Sequence, residues 1–177
     1  MKTRNIRNMI LVSLFAAFMV IGAFISIPFT PVPISLQTLF TLLAGMVLGS
    51  KLGAVSQLLY LFLGVIGLPV FSGFRGGLGI LLGPTGGFLI GFVIAAYVIG
   101  KFMEAKKESR SLHYISAGLL GTLIIYSIGA LQMSLVAQIG VRESIVLGVI
   151  PFLVGDLFKI LIATFIAIRL KLVVTIH

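Results

Sequence analysis

The feature that most restricts this chain is a series of long apolar runs almost without charge, separated by short stretches rich in Pro, Gly or basic residues. A helix crossing a bilayer needs about 20 mostly apolar residues, because its backbone must satisfy its own hydrogen bonds over roughly 30 Å of hydrocarbon. Six runs meet or approach that requirement: Met9–Ile27, Leu36–Ser50, Leu52–Leu68, Gly86–Met103, Tyr114–Ile139 and Ile145–Ile168. Composition agrees, since 59% of the 177 residues are hydrophobic and 10% are charged, where a soluble domain carries about a quarter charged residues. A water-soluble globule is excluded, and so is disorder, which needs the opposite composition. The expected fold is an all-α integral membrane protein, a single bundle of six transmembrane helices formed by residues 1–177.

The basic residues test this partition independently. Six spans place Lys2, Arg4, Arg7, Lys51, Lys101, Lys106, Lys107, Arg110, Arg169 and Lys171 on one side and only Arg75 and Arg142 on the other. Such a bias marks the cytoplasmic side, so both termini are expected there, and the net charge of +9 reads as topology and anionic headgroups rather than nucleic acid. The second run is the weakest, because 15 residues make about 22 Å of helix. Met1–Ser26 has the basic start of a leader peptide, but its apolar run is too long and ends in prolines, so it is read as a retained span. The chain has no Cys and no Trp, which removes disulfides, thiolate metal sites and cysteine nucleophiles.

Small residues stand where helices would approach closely in lipid. Gly45, Gly49 and Gly53 recur every four residues and read as one helical stripe; Gly87 and Gly91 repeat the spacing, and Gly118, Gly121 and Gly129 add small surface to the fifth run. Ser13 and Ala17 form a small-xxx-small pair on the first, suited either to packing within the chain or to docking a separate membrane subunit. The segment from Phe71 to Gly87 is too rich in glycine for a regular helix, yet it is apolar and carries only Arg75. It is expected to fold back as an outer cap between the third and fourth helices, either sealing the bundle or covering a ligand. It is no nucleotide loop: the Walker spacing is absent, and Gly100-Lys101 is followed by Phe102.

Apart from Lys101 in the last turn of the fourth run, Asp156 and Lys159 are the only charges inside any run. Intramembrane ionisable residues are expensive and mark functional sites by default. Three residues apart on a helix, these two share a face and can pair. They are either a structural ion pair or part of a ligand site. Gln37, Arg75, Tyr126 and Gln132 fall at similar depth and favour the second reading, a pocket for a small amphipathic guest between Phe and Leu walls. Enzymatic motifs are missing, including the G-x-S-x-G elbow, H-E-x-x-H and any cluster of His, so no catalysis and no cofactor are expected. The alternative function is a self-sufficient small-solute carrier or channel; that would need a polar path or a carboxylate relay, and the runs offer one acid.

Four motifs then follow in order: Val32-Pro-Ile-Ser-Leu-Gln-Thr-Leu39, Gly64-Val-Ile-Gly-Leu-Pro-Val-Phe71, Gly76-Gly-Leu-Gly-Ile-Leu-Leu-Gly-Pro-Thr-Gly-Gly87 and Gly155-Asp-Leu-Phe-Lys159. With them the chain resembles, over nearly its whole length, the BioY family, the biotin-specific S components of energy-coupling factor (ECF) transporters. The resemblance implies six helices, cytoplasmic termini in a prokaryotic cell membrane, and a pocket open to the outside that holds biotin as the transported ligand. Asp156 and Lys159 match the family's last-helix motif, and Gln37 and Arg75 carry over beside them. The family docks a transmembrane coupling subunit through an Ala-xxx-Ala pattern on the first helix; Ser13 and Ala17 occupy the corresponding positions, with serine a small departure. A pair of ATPase subunits would complete the module and supply the energy that this chain cannot.

Overall fold

The structure, a computed structural model, describes residues 2–29, 31–106 and 110–174; Lys107, among the basic residues counted above, and His177 lie outside them. Helix α1 (Lys2–Phe24) ends before a proline-punctuated link. Pro28, Pro31 and Pro33 lack the N–H a continuing helix needs. The chain turns back instead, through a two-residue antiparallel pair of β1 (Ser26–Ile27) and β2 (Ile34–Ser35). The Leu36 N–H donates to the Gly22 carbonyl at 3.0 Å and ties this link to the end of α1.

Helix α2 (Gln37–Val65) is two helices in one, because Gly49 stands inside it at φ +79° and ψ −174°. Only glycine adopts that backbone freely. The Thr41 hydroxyl lies 3.2 Å from Gln57 Oε1, although 16 residues of straight helix would hold them about 24 Å apart. Residues 37–48 and 50–65 are therefore antiparallel arms of a tight hairpin, as two separate runs require. One expectation is corrected here: Gly45, Gly49 and Gly53 do not share a stripe. Gly49 makes the turn, Gly45 lies against Ile99 of the fourth helix, and Gly53 lies against the Ala44 carbonyl of the opposite arm. The spacing of four arose because a reversal between two short arms brings small residues together from both sides.

A short α3 (Leu78–Leu82) precedes α4 (Gly86–Glu104) and α5 (Ser111–Ala137); then come α6 (Val141–Gly148), a 3-10 turn (Ile150–Phe152) and α7 (Leu153–Val174). The expected sixth span, Ile145–Ile168, is thus interrupted at Val149 (φ −126°, ψ −56°). Among the described residues, five stretches are long and apolar enough to cross a membrane: Asn5–Phe24, Gln37–Val65, Gly86–Glu104, Ser111–Ala137 and Val141–Leu170. The second holds two arms, so six helices make the bundle. The α2 hairpin packs against α1, α4 and α7, and α5 closes the far side against α4 and α7. Met19, Leu42, Ile99, Ile125 and Ile160 form the fully buried centre, while Leu123, Leu135, Phe158 and Phe165 are exposed on the outside. An apolar exterior of this kind is the mark of a protein whose solvent is lipid.

Polar capping fixes the Gly49 turn. Glu104, at the end of α4, accepts the Ser50 N–H at 2.7 Å and the Ser50 hydroxyl at 2.8 and 3.0 Å from its two carboxylate oxygens. A carboxylate there satisfies the first N–H of the second arm and complements its dipole. Glycine is required on both sides of this contact: a Cβ on Gly100 would lie 2.1 Å from the Ser50 nitrogen. Because the Glu104 side chain is 46% exposed, water weakens the contact, and Glu104→Ala is expected to lower stability by only about 1 kcal/mol. Thermal unfolding in detergent measures this; an unchanged midpoint would show that the turn holds without its cap.

The first arm spans only about 18 Å (12 residues at about 1.5 Å each), well short of the hydrocarbon thickness. Its start, Gln37, therefore lies within the bundle, and the space beyond it is filled by the 26–35 link, by residues 66–85 and by a cavity.

Candidate functional site

That cavity encloses about 640 Å³ when its open mouth is included. Its walls are apolar, with Phe71, Phe88, Phe92 and Phe152 prominent, and a few polar side chains converge from four elements. Of the residues singled out in the sequence, Gln37, Arg75, Tyr126, Asp156 and Lys159 line it together.

Its charged end is built by α7 and α5. The 3-10 turn carries Pro151 in its first positions, where a missing N–H is harmless, and α7 then places Asp156 and Lys159 one turn apart on its inner face. The Lys159 ammonium donates to Asp156 Oδ1 at 2.6 Å, and the Tyr126 hydroxyl donates to Asp156 Oδ2 at 2.6 Å. Asp156 is 3% and Lys159 8% exposed, so a charge left alone there would be costly, whereas the pair is neutral as a unit. Each carboxylate oxygen keeps a second lone pair, and the ammonium keeps two further N–H groups. This end therefore offers acceptors and donors side by side, matching a flat guest with N–H groups next to a carbonyl.

A second wall is organised by Gln37. Its Oε1 accepts from the Ser35 hydroxyl at 3.0 Å and the Ser72 hydroxyl at 2.8 Å, while its Nε2 donates to the Tyr60 hydroxyl at 2.8 Å. Tyr60 in turn donates to the Val70 carbonyl at 3.2 Å. One buried amide thus ties the 26–35 link, both arms of α2 and the glycine-rich segment to each other. The Phe71 ring seats that segment by lying edge-on to Tyr60 (centroids 5.6 Å apart) in a notch over Gly64. Arg75 sits at the rim, exposed, its Nε donating to the Ser72 carbonyl at 3.2 Å. Phe29 lies edge-on to the lining residue Phe152, and Phe24 lies against Phe74 of the glycine-rich segment.

Gln132 is placed elsewhere. It is not among the lining residues; its Nε2 donates to the carbonyls of Leu81 at 2.8 Å and Gly83 at 2.9 Å. The same junction accounts for the glycines of Gly83-Pro84-Thr85-Gly86-Gly87: a Cβ on Gly86 would meet the Leu81 carbonyl at 1.7 Å, and one on Gly87 the Ile128 carbonyl at 2.5 Å. Ser13 and Ala17 are exposed on the outer face of α1. Ser35, Ser72, Tyr60 and Thr85 were not singled out from sequence. The serines stand in turn-rich stretches where a hydroxyl is ordinary, and the partnership of Tyr60 with Gln37 exists only once the hairpin has closed.

Comparisons with known proteins agree with this architecture. The BioY family model matches residues 1–175. The chain is 44% identical over 165 residues to the biotin transporter BioY of Thermotoga maritima, covering 93% of this chain and 96% of that one. It is 45% identical over 161 residues to the probable biotin transporter BioY of Pyrococcus horikoshii, covering 91% and 94%. A crystal structure of the S-component for biotin from an ECF-type ABC transporter superposes with a TM-score of 0.85 at 31% identity, over 97% of this chain and 94% of that one. With its helices, its motifs and its relatives in agreement over almost the full length, the chain belongs to the BioY family.

Proposed function

We propose that this protein is the biotin-binding membrane subunit of a vitamin uptake transporter, capturing biotin from outside and delivering it inward. The observation that carries the reading is the cavity itself: a neutral Asp156–Lys159 pair at one end, phenylalanine walls, and an exposed guanidinium at the rim. Biotin has the matching order of groups. Its ureido N–H groups would meet Asp156 and its ureido carbonyl Lys159; its apolar bicycle and chain would lie against Phe88, Phe92 and Phe152; its carboxylate would reach Arg75. The names of its relatives support the same ligand.

The finer arrangement belongs to this proposal. The positive-inside bias supports cytoplasmic termini in the cell membrane, which turns the cavity mouth and residues 66–85, as a glycine-rich cap, to the outside. The exposed Ser13 and Ala17 would dock a transmembrane coupling subunit, and a pair of ATPase subunits would drive release. Equilibrium binding of biotin to the purified protein is the first test, and the absence of binding below micromolar concentrations would overturn the ligand. Proteoliposomes holding this chain alone separate the alternative: uptake driven by a proton gradient would make it a self-sufficient carrier, whereas uptake that requires the coupling module supports the subunit. Because Arg75 is exposed, Arg75→Gln is expected to weaken binding only about two- to fivefold, with the difference shrinking at high salt.

A further inference from the structure

Gln132 touches no part of the cavity, yet its two N–H groups are both committed to it at one remove. They reach from α5 to the Leu81 and Gly83 carbonyls, at the junction where residues 66–85 pass into α4. The other end of that segment is fastened by the Phe71 ring over Gly64 and by Ser72 on Gln37. Between these fastenings the backbone is held by the Phe71–Arg75 bridge and by the Gly77 N–H, which donates to the Gly64 carbonyl at 2.7 Å; Gly73 (φ +76°), Phe74 (φ +57°) and Gly77 (φ +96°) take left-handed conformations, and a Cβ on Gly77 or Gly79 would meet nothing within 4 Å. Ile80 and Thr85, which flank the carbonyls that Gln132 holds, line the cavity.

The geometry points to Gln132 as a positioning residue for the ligand cavity, acting as a double donor that fixes the Leu81–Gly83 carbonyls and through them the wall formed by Ile80 and Thr85. The inference rests on the biotin reading for its consequence but not for its geometry. An untethered wall must be ordered when the ligand arrives, and a site populated only part of the time binds in proportion to that fraction. Gln132→Leu removes both donors. Gln132→Glu keeps the shape but turns lone pairs toward two carbonyls. Gln132→Lys restores donors to the same place.

The experiment uses the full chain, which has no Cys, carrying Ile80→Cys as a reporter. Labelling by a polar maleimide is followed without ligand, and biotin affinity is measured on the same set. The Leu and Glu variants are expected to label at least threefold faster than the parent and to bind biotin roughly tenfold more weakly, the loss of two ordinary hydrogen bonds. The Lys variant should recover both to within about threefold. A glutamine that contacted the ligand directly would lower affinity without changing labelling in the free protein, and that result would overturn the proposal. So would unchanged labelling in both the Leu and Glu variants, or a failure of Lys to restore either readout. If the parent takes up no biotin, the functional reading fails, while the labelling comparison still decides the role of Gln132.

Discussion

Replacing Asp156 with Asn is expected to raise the dissociation constant for biotin at least tenfold, a loss of about 1.4 kcal/mol or more. Both carboxylate oxygens are in use, one by Lys159 and one by Tyr126, and an amide presents one donor where the site has two acceptors. The Lys159 ammonium would then remain 8% exposed without a counter-charge. Removing one partner of a buried ion pair costs about 3–5 kcal/mol, so the thermal midpoint should fall together with affinity. A second substitution separates the two effects. Asp156→Asn with Lys159→Met removes the stranded charge and should regain much of the stability while leaving binding weak. Titration and thermal unfolding of both variants check this, and a single variant that binds biotin as tightly as the parent would show that Asp156 does not face the ligand.

The second large effect is expected far from any charge. A Cβ on Gly64 would stand 2.0 Å from the Phe71 ring, and that ring is 2% exposed and held against Tyr60. Gly64→Ala must therefore expel the ring from its notch, at about 1–3 kcal/mol of overpacking strain. The Tyr60–Val70 and Ser72–Gln37 hydrogen bonds flank that ring in sequence, so the glycine-rich segment should detach from the cavity wall and biotin binding should weaken at least fivefold. Gly155→Ala is the matched control: a Cβ there meets nothing within 4 Å, and alanine is the better helix former. It should leave stability within about 0.5 kcal/mol of the parent or slightly above it. Equal thermal midpoints and equal affinities for the Gly64 and Gly155 variants would refute the notch as an anchor.

The two predictions concern different parts of one cavity, and these differ in how far they could be read in advance. Asp156 and Lys159 announce themselves, because a charge in an otherwise uncharged run has no cheap explanation, and their spacing of three already puts them on one face. Gln37 and Tyr126 are recognisable as polar residues in apolar company, but nothing local says that one ties two loops to the second arm of α2 and the other completes the carboxylate's partners. Gln132 carried the same signal and landed outside the cavity, since depth along a helix does not tell which way a side chain faces. The glycines show the same limit. Spacing marked Gly45, Gly49 and Gly53 as close-approach positions, which two of them are, but only the reversal at Gly49 assigns each its neighbour.

What the amino-acid sequence determined by itself is the solvent and the partition. Hydrocarbon accepts nearly uncharged runs of sufficient length, and the spacing of the basic residues between them agrees with that partition; both are additive along the chain and need no knowledge of which residues meet. What the tertiary structure decided is the cavity. Its existence follows from a first arm too short to fill the membrane's depth, and its chemistry from groups 30 residues apart, such as Tyr126 and Asp156, or 35 apart, such as Ser72 and Gln37. Hydrogen bonds act over about 3 Å, so such partnerships are properties of the packed bundle and leave no periodic trace in the sequence that forms it.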